Sequence, residues 1–280
     1  MAVTPGSRRV PRPKTERELP FVRQRAVRWF NAGVLGPTRI RMALSSAFAR
    51  FFDKRELEAS VEAHPLRHWA DAPELWIDFI ADTGDGFDPT YTVAWLASRP
   101  HLPLDTVERP LPRADLVVFG GDEVYPVGSA DAYQQRFVGP YQAALPKTTA
   151  GARRELYAIP GNHDWYDGLT GFVRLFCQGK EVGGRQTCQS RSYFALQLPH
   201  RWWLWGVDIQ LDSSIDGPQL AFFEEVAAEM APGDRVVLCT GKPSWVDARS
   251  TPQGYRGLAD LEDRLITPRR ARLMLSLSGD

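Results

Sequence analysis

From residue 74 onward, short apolar runs end again and again in small polar clusters. "LWIDFIADTGDG" reaches Asp82, "ADLVVFGGDEVYP" reaches Asp122 and "ELYAIPGNHD" reaches Asn162. "RWWLWGVDIQLDSS" carries Asp208 and Asp212, "DRVVLCTGKPSW" breaks near Gly241, and "ARLMLSLSGD" runs to Asp280. Runs of this length, rich in Val, Ile, Leu and Trp, predict buried strands. Between them "PTYTVAWLAS", "DAYQQRFVGPYQAAL", "YDGLTGFVRLF" and "GPQLAFFEEVAAEM" predict helices. Alternating strands and helices place residues 74–280 in the α/β class, and sites in such sheets form at strand ends. "CQGKEVGGRQTCQSR" predicts a long, solvent-facing Gly-rich loop, on which Arg185 and Arg191 would be solvated or would bind a phosphate oxyanion.

The N-terminal part follows another pattern. Residues 1–20 are rich in Pro and Arg and read as a disordered basic tail. Residues 21–73 read as a helical extension. "FVRQRAVRWFNAGVL" puts Val22, Ala26, Trp29 and Phe30 on one helical face. After a break at Gly36-Pro37, with Thr38 as N-cap, "TRIRMALSSAFARFF" repeats Ile40, Leu44, Ala47, Phe48 and Phe51 at helical spacing. Both helices are expected to pack on the main domain; contact of residues 21–55 with a membrane surface is the less favoured reading.

Composition adds bounds. In 280 residues, 43% are apolar and 24% charged, as in ordinary globular proteins. No apolar run approaches the roughly 20 residues of a membrane span, and the N-terminus lacks the apolar core of a secretory signal, so a cytoplasmic location is the default expectation. Net charge is zero, yet residues 1–55 hold 13 Lys and Arg against three Asp and Glu, and the rest is acidic by the same margin. The basic end is expected to dock on its own acidic body, because no nucleic-acid motif accompanies it. Cys177, Cys188 and Cys239 have neither C-x-x-C nor zinc spacing and are expected to be free or buried thiols.

The chemistry lies in the polar clusters. "ADTGDGF", "GGDEVYP" and "PGNHDWYDG", in that order, resemble the motifs of the calcineurin-like metallophosphoesterases, and the first two look like a bacterial subgroup of that family. The resemblance covers about residues 74 to 280. It implies a layered β-sheet sandwich flanked by helices, and hydrolysis of a phosphomonoester or phosphodiester through a metal-activated hydroxide. It also implies two divalent ions: an oxygen-rich donor set favours Mn²⁺ or Mg²⁺, with Fe or Zn as alternatives. By the same resemblance Asp82 would bind the first metal, Asp122 would bridge both, and Asn162 would bind the second through its amide oxygen. His163 would stabilise the transferring phosphoryl group or protonate the leaving group, and Asp164 would hold it in its working tautomer. The bland alternative is that Gly-Asp makes a turn and Asn-His-Asp an Asx-turn or helix cap.

Three places depart from the family pattern. Its first motif is Asp-x-His; here Gly84 holds the third position and Asp85, next along, is either a substitute ligand or part of a tight turn. A histidine is normal where Gly241 and Lys242 stand, and Lys242 could serve as a phosphate-binding cation in its place. The last motif normally reads Gly-His-x-His; "LMLSLSGD" reaches Gly279 and Asp280, so the family's last histidines would lie beyond this terminus and the domain is expected to be incomplete. A catalytically impaired or truncated binding module is therefore the second reading. Trp165 and Tyr166 could line a substrate pocket or the core. His64 and His68, four apart around Pro65, read as surface or packing residues. An Asp pair three apart (Asp82 and Asp85) does not fit a haloacid-dehalogenase-like phosphatase, and no EF-hand, P-loop or G-x-S-x-G pattern is present.

Overall fold

The computed structural model describes residues 19–49, 57–58, 60–106, 108–145, 154–209, 215–243 and 258–279. Residues 1–18 of the basic tail, Phe51, Asp212, Asp280 and the side chains of Ala47 and Phe48 lie outside the described residues.

Two sheets form the centre. The first has five strands: β1 (Ile77–Ile80), β4 (Leu116–Phe119), β5 (Glu155–Ala158), β7 (Arg185–Thr187) and β6 (Glu181–Val182), in the order β1-β4-β5-β7-β6. Its first four strands run parallel, and β6 is antiparallel. The second contains β8 (Phe194–Leu198), β9 (Trp202–Val207), β10 (Arg235–Thr240) and β11 (Arg272–Ser278), in the order β11-β10-β9-β8. Here β9, β10 and β11 are parallel and β8 is antiparallel. After β1 comes α2 (Phe87–Ser98), and a small hairpin then joins β2 (His101–Leu102) to β3 (Leu111–Pro112).

The pleat sorts side chains into layers, because successive residues point to opposite faces. Leu116, Val118, Tyr157 and Ile159 of the first sheet meet Phe194, Leu196, Leu204 and Cys239 of the second, forming the central core. On the outer face of the first sheet, Val117, Phe119, Leu156 and Ala158 meet Phe137, Tyr141, Phe172 and Phe176. Those partners lie on a run from α3 (Ala130–Ala132) through a π-helical stretch (Tyr133–Val138) into α4 (Gly139–Ala144), and on α6 (Thr170–Phe176). On the outer face of the second sheet, Trp203, Trp205 and Val236 meet Phe222, Phe223 and Val226 of α7 (Gly217–Ala228). The result is a helix–sheet–sheet–helix sandwich, as expected. β11 departs from the buried-strand expectation: it is an edge strand, and its Met274 and Leu275 are exposed.

The N-terminal extension differs from its expectation. Residues 21–28 are not helical. Their backbone groups bond to the domain instead of to one another: Phe87 donates its N–H to the Gln24 carbonyl (2.9 Å), and the Val27 N–H donates to Asp85 Oδ1 (3.1 Å). A helix, α1 (Ala32–Ala49), follows and runs through Pro37. Asn31 caps it in place of Thr38, its Oδ1 accepting the Gly33 N–H at 2.8 Å. Pro37 keeps a helical φ and forfeits one backbone hydrogen bond, so it does not stop the helix. Nor does the expected apolar face pack inward, since Ile40 and Leu44 are 62% and 50% exposed. Among the described residues no helix is long and apolar enough to cross a membrane.

The Gly-rich segment also differs. It is a hairpin, β6–β7, whose turn at Gly183 and Gly184 has positive φ at both residues, and β7 joins the main sheet. Arg185 is buried there, donating to the carbonyls of Ala114 (3.0 Å) and Asp115 (3.4 Å), and burial lowers its pKa to about 10. Arg191, partly buried, donates to the Val61 carbonyl and to the Tyr193 hydroxyl. The three cysteines are free thiols, as expected.

Glu155 illustrates how polar groups are accommodated inside the sandwich. Its fully buried side chain accepts hydrogen bonds from Tyr157 (2.8 Å), Trp69 (2.8 Å) and His68 (2.7 Å). His68 is thus a packing residue, as expected. Burial alone would raise the Glu155 pKa, but the three donors outweigh it and the net shift is downward. A depressed folded pKa means the contribution is complete above the ordinary glutamate value of about 4.3 and is lost as pH falls through the folded value. Glu155→Gln should therefore lower stability by about 1–3 kcal/mol near pH ~7 in urea unfolding, and the deficit should shrink at pH ~3.

Candidate functional site

Parallel strands bring their C-terminal ends to one edge, and the loops there converge. Beyond β1 and β4 the pairing continues: Gly120 donates its N–H to the Ile80 carbonyl (2.8 Å), and Asp82 donates to that of Gly121 (3.1 Å). Asp82 and Asp122 thereby face each other, both with positive φ (55° and 53°). Non-glycine residues in that region are uncommon and cluster at functional sites. The Tyr125 hydroxyl lies 3.1 Å from Asp82 Oδ1 and 3.3 Å from Asp122 Oδ2. It has one proton for two carboxylates. Burial first, then the charges of Asp122 and Asp82, push the phenol far above its ordinary pKa, so it stays a donor.

Asn162 and His163 open α5 (Asn162–Trp165), directly after β5. The Asn162 amide nitrogen donates to the Tyr166 hydroxyl at 2.9 Å. The His163 backbone N–H donates to Asp122 Oδ1 at 2.9 Å. Its imidazole is surrounded by rings: Tyr125 at 4.6 Å, Tyr166 at 4.8 Å and Trp29 at 5.6 Å between centroids. Nδ1 lies 2.7 Å from the Pro126 carbonyl. A carbonyl only accepts, so Nδ1 carries the proton and the neutral ring keeps its lone pair on Nε2.

Asp164 differs from its expected part, because the Pro126 carbonyl stands at Nδ1 of His163. Asp164 is fully buried, and its Oδ2 accepts the backbone N–H groups of both Asp122 and Gly161 at 2.9 Å. Its Oδ1 accepts the Tyr133 hydroxyl. As the third residue of α5 it supplies the carboxylate half of a capping box, so the helix-cap reading holds for this residue. Glu123 is buried beside it. Burial first, then the charges of Asp164 and Asp122, raise the Glu123 pKa well above the ordinary range.

Asp85 and Trp165 also lie away from the ligand cluster. Asp85 accepts the Val27 N–H, and its carbonyl accepts Arg136, so it tethers the N-terminal segment. Trp165 belongs to the core, with its indole N–H on the buried Asp208 (3.0 Å). Gly84 explains the missing histidine of the first motif: its φ is +75°, and a Cβ there would lie 2.0 Å from the Glu123 carbonyl oxygen. Lys242 stands at the same edge, one residue after Gly241, whose Cα would meet a Cβ on Gly121 at 3.2 Å. Gly279, at the end of β11, reaches Asp82: its Cβ would lie 3.2 Å from Oδ2. A cavity of about 300 Å³ shares Tyr125 and Pro126 with the site and is also walled by Val34, Pro37, Arg41 and Arg136.

The chain belongs to the calcineurin-like phosphoesterase family. Its model matches residues 75–265, which include Asp82, Asp122, Asn162 and His163. Comparison with curated proteins gives no match. Members of this family generally hydrolyse phosphoesters with divalent metals. The donor set fits such an ion in kind: two carboxylates converge on a single hydroxyl proton beside an oriented amide. Among the described residues, however, no three His, Cys, Asp or Glu side chains form a metal-holding group.

Sequence reasoning passed over Tyr125, Pro126, Glu123 and Tyr133. The first three stand in the quoted "GGDEVYP", but nothing in that string says that a proline carbonyl will meet an imidazole 37 residues away. The scaffold part of Asp164 has a direct check: Asp164→Asn should cost about 1–3 kcal/mol in urea unfolding. A residue serving only as a tautomer partner would leave stability unchanged.

Proposed function

We propose that the chain hydrolyses a phosphomonoester or phosphodiester, with Asp82, Asp122 and Asn162 holding divalent cation and His163 acting at the leaving oxygen. The observation that carries this reading is the convergence of Asp82 and Asp122 on the one Tyr125 hydroxyl, with His163 bonded through its backbone to Asp122. When bound, divalent ions would activate water and neutralise the phosphoryl charge. Asp122, which meets both the Tyr125 hydroxyl and the His163 N–H, would be the carboxylate shared between the ions. Tyr125 keeps the two carboxylates in register. The Pro126 carbonyl fixes the imidazole so that Nε2 is the atom that takes up a proton and returns it to the leaving oxygen. Tyr166 aims the Asn162 oxygen, and Lys242 is a candidate cation for a phosphoryl oxygen at the rim. The oxygen donors favour Mn²⁺ or Mg²⁺.

A second reading, a catalytically impaired module that binds phosphoesters, draws on the lack of a three-residue metal group among the described residues. Two measurements separate them. Mn²⁺ or Mg²⁺ should stimulate hydrolysis of p-nitrophenyl phosphate or its diester, and Asp122→Asn or His163→Ala should each reduce kcat by about 100-fold or more. Full activity in both variants would sink the hydrolytic reading. Elemental analysis finding about two tightly held ions per chain would reject the impaired module.

A further inference from the structure

Trp29 lies outside the segment that matches the family model, yet its ring is part of the site. It meets His163 at 5.6 Å and 68°, and Tyr125 at 5.7 Å and 85°, edge to face in both cases. The segment that carries it is fixed at close intervals. Phe21 is buried against Phe87, 5.7 Å between ring centroids, and the Arg23 guanidinium sits 4.3 Å over the same ring. Asp85 holds the Val27 N–H two residues before Trp29, and the Asn31 cap starts α1 two residues after it. Gly86 allows this close passage, because a Cβ there would lie 2.8 Å from the Ala26 nitrogen. At the far side, the Ser45 hydroxyl of α1 donates to the Tyr166 carbonyl (2.9 Å). Such anchoring sets one aromatic ring in one place, against His163 and Tyr125, and Trp29 remains partly exposed. A preorganised aromatic surface binds flat apolar groups at little entropic cost.

We propose that Trp29 is a specificity-determining residue: it forms the leaving-group wall of the site and selects phosphoesters whose leaving group carries an aromatic ring. The inference rests on the hydrolytic reading for the side of the phosphoryl group on which His163 lies. His163 acts at the leaving oxygen, so a group attached to that oxygen extends toward the ring packed against His163. Asp85, Gly86 and Phe87 serve this wall as positioning residues by holding the segment.

The full chain, its Trp29→Ala variant and its Trp29→Phe variant test the idea in two ways. Calorimetry with Mn²⁺ present compares phenylphosphonate with methylphosphonate and needs no turnover. The wild-type chain should bind the phenyl compound roughly three- to tenfold more tightly, the size of one aromatic contact. Trp29→Ala should abolish that preference, and Trp29→Phe should restore most of it. In turnover, Trp29→Ala should raise KM for phenyl phosphate by a similar factor relative to methyl phosphate. Equal weakening toward both phosphonates in Trp29→Ala, or an undiminished phenyl preference, would overturn the proposal; so would failure of the wild-type chain to bind either phosphonate. A phenyl preference that depends on Trp29, without turnover of any ester, would uphold the wall and remove the hydrolytic reading instead.

Discussion

One buried carboxylate holds the site edge together. Asp164 accepts the backbone N–H groups of Asp122, from the loop after β4, and of Gly161, from the loop after β5, and it accepts the Tyr133 hydroxyl from the helical layer outside. Backbone donors buried at strand ends must find partners, and a charged acceptor in a dry interior binds them more strongly than a neutral one. Two loops and one helix are thereby referred to a single point. The position of Asp122 follows from that point, and those of His163 and Tyr125 follow from Asp122.

That arrangement concentrates negative charge. Asp82, Asp122 and Asp164 lie within a few hydrogen bonds of one another, with Glu123 beside them. The surroundings answer the resulting repulsion: the pKa values of Glu123 and Tyr125 are both raised, and Asp164 accepts three donors. Asp82 and Asp122 both face the Tyr125 hydroxyl, and Asp122 also accepts the His163 backbone N–H. Three aromatic rings, of Trp29, Tyr125 and Tyr166, pack around the His163 imidazole.

The N-terminal segment shows how context overrides pattern. Val22, Ala26, Trp29 and Phe30 have the spacing of a helical face, yet the backbone carbonyl of Gln24 and the N–H of Val27 bond to Phe87 and Asp85 instead. Helical propensity differs among ordinary residues by only a few tenths of a kcal/mol, so burying Phe21 and satisfying those groups on the domain decides the conformation. Asp85 changes meaning for the same reason. In the chain it stands where a ligand could stand; in the fold it is already engaged by the segment that crosses it.

Much was legible in the sequence alone. Apolar runs of strand length ending in Asp82, Asp122 and Asn162, separated by helical patterns, determine an α/β sheet whose polar clusters gather at one edge, because parallel strands share a direction. Local order likewise determines that the polar segment Asn162–Asp164 follows directly after β5. What only the tertiary structure decided are contacts between residues distant in the chain. The Pro126 carbonyl, not Asp164, sets the tautomer of His163. The Glu123 backbone leaves no room for a side chain at Gly84. Trp29 crosses from the N-terminal segment to the imidazole. Each depends on where two loops meet in space, and loop meeting points are set by burial and hydrogen-bond satisfaction across the whole fold, which no local window of residues contains.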